Sequence, residues 1–144
     1  MNLLQLEKIT LHSGKISDFK IECDSLTEAD WDTLAYLGSR IVGNFSSVYG
    51  IPRGGIPFAK AMEKYVGDMG PHLIVDDVLT TGGNILEVLH NYKDSIGLVA
   101  FARGRAWPVK AIFYMNEAAE DAREKWCDQC QIRHVKQFEP TKKE

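Results

Sequence analysis

Two adjacent acids, Asp76 and Asp77, close an apolar run and are followed at once by threonines and glycines: LIVDDVLTTGGN, residues 73–84. Neighbouring carboxylates repel one another and lose hydration when buried, so an apolar core has no use for the pair. Such a pair can accept hydrogen bonds from vicinal hydroxyls, or help to hold a hydrated Mg²⁺. Thr80, Thr81, Gly82, Gly83 and Asn84 then run into a helical pattern. Glycines let backbone N–H groups turn toward a concave site, and a helix start favours an anion. The threonine hydroxyls add donors. Acids for a sugar beside a cradle for a phosphate describe a sugar-phosphate site. A helix cap with solvated acids would need only one of these parts.

A second stretch has matching chemistry. In YGIPRGGIP, residues 49–57, Arg53 offers a forked guanidinium suited to a phosphate, and Gly54 and Gly55 let the backbone come close to a ligand. Pro52 and the glycines also fit an ordinary turn. Near the C-terminus, Cys127, Cys130 and His134 fall at i, i+3 and i+7, one face if a helix extends that far. A zinc site would want a fourth ligand there, so two ordinary thiols compete with that reading.

The elements that must position these residues follow from hydrophobic spacing. TLHSGKISDFKIEC reads as two short strands around the turn signal Ser13-Gly14. Thr27 reads as an N-cap with Asp30 three residues on. Trp31, Leu34, Ala35, Gly38, Ile41 and Val42 keep helical spacing, which predicts a helix over 28–43. SSVYGI predicts a buried strand ending in the PRGGIP loop, with a helix from Pro57 to about Tyr65. HLIVD predicts a strand ending at Val75, and GNILEVLHNYK a helix. IGLVAFA and VKAIFYM predict two more strands, and 117–126 a last helix. Strands alternating with helices imply an α/β fold, a mostly parallel sheet flanked by helices. Ligands of such sheets sit at the carboxyl ends of the strands, where Asp76 and Asp77 fall.

Length and composition bound the function. A chain of 144 residues predicts one domain. A net charge of −3 gives no reason to expect nucleic acid or a membrane surface as partner. MNLLQLEKIT lacks the pattern of a signal peptide, and no apolar run reaches membrane-spanning length. Three cysteines, an odd number, argue against a disulfide framework, so the expected compartment is the reducing cytoplasm.

LIVDDVLTTGGN resembles the phosphoribosyl-pyrophosphate (PRPP) signature of the type I phosphoribosyltransferases. The resemblance implies that Asp76 and Asp77 bind the ribose hydroxyls and act as the catalytic acids, and that Thr80, Thr81, Gly82, Gly83 and Asn84 wrap the 5′-phosphate. YGIPRGGIP resembles the family's pyrophosphate loop, which assigns Pro52, Arg53, Gly54 and Gly55 to the pyrophosphate. LHSGKISDFKIECDSLT is similar to the hood segment of the orotate branch, and FARGR falls where that branch carries an Arg against the base. Lys20 and Arg103 are therefore the base-binding candidates. Mg²⁺ is the implied cofactor, carried by PRPP near Asp76 and Asp77 rather than held by direct protein ligands. The implied fold is a single phosphoribosyltransferase-like domain over 1–144. About 1–26 form the hood, 27–116 the core and 117–144 a C-terminal helix and tail.

The chain also departs from that pattern. Asn84 stands where the family has Thr or Ser, His12 where it has Lys, and Lys20-Ile21 where it has aromatics. Only 17 residues, 56–72, separate the pyrophosphate loop from the strand beginning at Leu73. In the orotate enzymes this interval also holds another strand and a long mobile lid, so the sheet should be one strand thinner and the lid shortened or missing. Two functions follow. One is transfer of the phosphoribosyl group of PRPP to a nucleobase, orotate or another pyrimidine or purine, with release of pyrophosphate. The other is a PRPP- or nucleoside 5′-monophosphate-binding regulator with little turnover. A homodimer is expected, with the partner covering a site that lacks its lid.

Overall fold

The computed structural model of the chain describes residues 3–5, 9–10, 16–17, 20–80, 83–103 and 108–115. The predicted helix over 117–126, the segment 117–144, and Cys127, Cys130 and His134 lie outside the described residues.

The N-terminal segment forms two small antiparallel ribbons. β2 (Ile9–Thr10) pairs with β3 (Ile16–Ser17) across the predicted Ser13-Gly14 turn region, and β1 (Leu4–Gln5) pairs with β4 (Lys20–Ile21). A 3₁₀ turn (Cys23–Ser25) leads to α1 (Glu28–Val42). Thr27 caps α1 as its sequence predicts. Asp30 N–H donates to Thr27 Oγ1 at 3.1 Å, and Thr27 N–H donates to Asp30 Oδ2 at 2.9 Å. α1 stops at Gly43, whose φ of 75° is open to glycine at little strain.

A four-stranded parallel sheet follows in chain order: β5 (Ser47–Gly50), β6 (His72–Leu79), β7 (Ser95–Ala102) and β8 (Lys110–Tyr114). α2 (Ile56–Met62, with Pro57 in its first turn) runs into a 3₁₀ turn (Glu63–Tyr65) and joins β5 to β6. α3 (Gly83–Asn91) joins β6 to β7. The apolar residues divide into two cores. Trp31, Leu34, Phe58 and Met62 pack with Leu73, Val75, Leu98 and Ala100 on the face covered by α1 and α2. Ile85 packs with Ile74, Val99, Val109 and Ala111 on the face covered by α3. Phe58 is fully buried and its ring lies 5.3 Å from that of Trp31, so it fastens α2 to α1 and the sheet.

The sheet steps the same way from β5 to β6 to β7, yet α2 and α3 lie on opposite faces. Two parallel crossovers so related have opposite hands, so one is left-handed, against a right-handed preference of about 98%. Between β5 and β6 the chain makes only the turn at 52–55, α2, the 3₁₀ turn and a short loop. No helix among the described residues is long and apolar enough to cross a membrane.

Candidate active site

β6 does not stop at Val75 as its sequence predicts. It runs through both acids to Leu79, because Val78 and Leu79 continue the ladder against Phe101 and Ala102. Simple alternation would keep Val75, Asp77 and Leu79 on one face. Leu79 instead joins the α3 core while Val75 lies in the other. The alternation therefore slips once between them, at Asp76 and Asp77, and the ladder to β7 skips Asp77 at that level. Consecutive acids would otherwise face opposite sides of the sheet. The slip lets their carboxyls interact, and each carboxyl folds back onto its own strand. Asp76 Oδ1 accepts from Asp77 N–H at 2.8 Å, and Asp77 Oδ1 accepts from Val78 N–H at 2.7 Å.

Burial, and then the neighbouring Asp77 carboxyl, push the Asp76 pKa up to about 7. In the absence of a ligand Asp76 is therefore largely protonated below neutrality. A group that sequence reasoning missed lies nearby. Cys23, at the end of the N-terminal segment, is buried, and its thiol pKa is raised, first by burial and then by the charge of Asp77, with Glu22, Asp24 and Asp76 also contributing. Nothing in the spacing of IECDS marks it as a neighbour of the acids. Its raised pKa makes it an inert apolar lining group rather than a nucleophile.

The loop after β5 comes against these acids. Pro52, Arg53, Gly54 and Gly55 form a tight turn, with a cis peptide between Pro52 and Arg53. The turn is tied to the sheet at both ends: Ile51 N–H donates to Val75 O and Gly55 N–H donates to Ile51 O, each at 2.8 Å. A Cβ on Gly55 would stand 2.6 Å from Val75 O, and one on Gly54 2.2 Å from Asp77 Oδ2. Both positions therefore require glycine, because backbone or carboxylate occupies the space a side chain would need. Arg53 is exposed at the tip of this turn.

Thr80 follows β6 and is exposed, Gly83 is the first residue of α3, and Asn84 is exposed in its first turn. Thr81 and Gly82 lie outside the described residues. The strand-to-helix passage thus sits directly beyond the acids, at the carboxyl end of the sheet. Arg103 is buried just past β7, its N–H donating to Leu79 O at 3.1 Å, which brings it alongside the end of the acid-bearing strand. Lys20 stands in β4 with its ammonium 3.0 Å from Glu22. Among the described residues no group of three or more His, Cys, Asp or Glu could hold a metal.

The arrangement of these strands, helices and loops is shared with proteins of known structure. The orotate phosphoribosyltransferase of Aeropyrum pernix matches with a TM-score of 0.64 at 21% identity, over 85% of this chain and 92% of its own. The chain has the phosphoribosyltransferase fold. The orotate phosphoribosyltransferase of Francisella tularensis matches at TM-score 0.54 and 18% identity, over 94% of this chain and 90% of its own. That of Mycobacterium tuberculosis, solved in complex with PRPP, matches at 0.55 and 16%, over 77% and 89%. No family model and no curated protein matches by sequence. On the phosphoribosyltransferase fold, the turn at 52–55 and the acids of β6 converge at the carboxyl edge of adjacent strands, where open α/β sheets bind ligands.

Proposed function

We propose that the protein transfers the 5-phosphoribosyl group of PRPP to a nucleobase, with release of pyrophosphate. The observation that carries this reading is the contact of the glycine turn with Asp77, which stands beside Asp76, at one sheet edge. In the reaction the bond from ribose C1 to the pyrophosphate oxygen breaks and a bond from C1 to a base nitrogen forms, through an oxocarbenium-like state. The protein's task is to hold the ribose, grip the leaving group and keep water out. The acid pair suits vicinal ribose hydroxyls, residues 80–84 suit the 5′-phosphate, and Arg53 suits the pyrophosphate. Lys20 and Arg103 are the base-facing candidates. Burial of a cation at the end of β7 supports Arg103, whereas Glu22 already engages Lys20.

Mg²⁺ fits the site only as a companion of the substrate. Two adjacent carboxylates can meet a cation whose other ligands are diphosphate oxygens and water, which is how Mg²⁺ commonly sits in phosphate sites. When bound it would neutralise the departing pyrophosphate.

Arg53→Ala tests the assignment of the turn. Loss of a charge-assisted contact should weaken PRPP by about 1.5–3 kcal/mol and leave a nucleoside 5′-monophosphate, which has no pyrophosphate, close to its wild-type affinity. Calorimetric titration of both ligands measures the difference. Equal weakening would mean that Arg53 serves only to shape the turn.

A PRPP- or nucleotide-binding regulator with little turnover is the second reading. It is favoured by the short course of the chain between β5 and β6, a turn, α2, a 3₁₀ turn and a short loop. An enzyme would need another cover, and a second copy of the chain is our proposal for it. An apolar hollow of about 790 Å³ beneath β1 and α1, lined by Leu4, Leu37, Phe113 and Tyr114 among others, offers a contact surface. Sedimentation should then show a dimer, and dilution to monomer should increase base-free hydrolysis of PRPP to ribose 5-phosphate and pyrophosphate. A monomer that transfers without such leakage would refute the proposed cover.

A further inference from the structure

Resting on the proposed function, we propose that Asp77 is a positioning residue for the pyrophosphate turn. The carboxylate of Asp77 lies on the Cα of Gly54. A Cβ there would stand 2.2 Å from Oδ2, 2.5 Å from Cγ and 2.7 Å from Oδ1, so the whole carboxyl group faces the turn. Its orientation is fixed from below, because Oδ1 accepts the Val78 N–H at 2.7 Å. The turn therefore rests on β6 at two neighbouring points. Gly55 rests on the carbonyl of Val75, and Gly54 rests on the side chain two residues further along the strand. Arg53 immediately precedes this double support and is exposed. The backbone position from which its guanidinium extends is set by where Gly54 is held.

Charge supports this role. A carboxylate has no attraction of its own for a diphosphate, so help that Asp77 gives to pyrophosphate binding without Mg²⁺ must pass through the turn. The Asp76 carboxyl accepts the adjacent Asp77 N–H. Ribose hydroxyls are donors that could engage it and favour its ionised form.

The test titrates wild type, Asp77→Ala, Asp77→Asn and Gly54→Ala, with and without Mg²⁺, with three ligands: PRPP, pyrophosphate and ribose 5-phosphate. Asp77→Ala removes the support and should weaken PRPP and pyrophosphate about tenfold or more, with ribose 5-phosphate changed by less than about threefold. Asp77→Asn keeps the shape and an acceptor for Val78, and should restore most of the loss. Gly54→Ala displaces the turn from the other side and should repeat the selective loss. It carries the test if Asp77→Ala fails to fold, as judged by its thermal midpoint. Weakening of PRPP and ribose 5-phosphate by Asp77→Ala with pyrophosphate unchanged would make Asp77 a ribose ligand, and equal weakening of all three would make it a general prop of the fold; either result overturns the positioning role while leaving the proposed function intact. A wild type that binds none of the three would overturn both.

Discussion

Exchanging Asp76 for asparagine should make the protein more stable at about pH 8 while abolishing its binding of PRPP. In the folded chain the Asp76 pKa is raised to about 7 from an ordinary 3.8, by burial first and then by Asp77. The native state therefore holds a proton that the unfolded chain releases. Stability is greatest below the unfolded value, falls as pH rises through the window between the two, and stays low above it. Asparagine does not titrate, so the gap between variant and wild type should open between about pH 4 and pH 7 and then hold. Asp76 is only part-buried, and after discounting for solvent we expect roughly 1–2 kcal/mol. For a domain of this size that is about 2–4 °C in the thermal midpoint per kcal/mol. Thermal scans across the pH range would show it. A wild type as stable at about pH 8 as at pH 5, relative to the variant, would mean that Asp76 is ionised without penalty.

Phe58→Ala should be the most damaging single change in the core. The ring is fully buried between α1 and the sheet and pairs with Trp31 at 5.3 Å. Truncation removes the apolar transfer energy and leaves a cavity, together about 3–5 kcal/mol. A domain of total stability near 5–15 kcal/mol would be left marginal. Because Phe58 lies in α2, just after the turn at 52–55, the variant should also lose affinity for PRPP wherever it remains folded. Denaturant unfolding measures the first effect. A loss below about 1 kcal/mol would show that the α1–α2 contact is not what fastens this layer.

Much of the fold was legible because its elements are strongly patterned. The capping box at Thr27 and Asp30, the spacing from Trp31 to Val42 and the apolar strands IGLVAFA and KAIFY each state one period clearly. The two glycine-rich loops stood out as candidate sites because no packing rule calls for their composition. What could not be read was tertiary in origin. Asp76 and Asp77 looked like the end of a strand, since a run of acids normally meets water. Pairing of Val78 and Leu79 with β7 overrode that signal. The slip in alternation that brings the two carboxyls together depends on the facing strand, and so does the approach of Gly54 to Asp77. Cys23 reaches the acids only through the fold of the N-terminal segment, and that distance in sequence hid it. The opposed hands of the α2 and α3 crossovers depend on which face each helix covers, which the spacing of apolar residues does not state.

The most direct test of the central claim is a transfer assay. The purified protein is incubated with PRPP, Mg²⁺ and each of a panel of nucleobases including orotate, and both pyrophosphate and nucleotide are followed. The proposed function predicts that one base yields a nucleoside 5′-monophosphate in step with pyrophosphate, and that Asp76→Asn removes both products. Tight PRPP binding with no nucleotide formed from any base would contradict a transferase and leave the regulator.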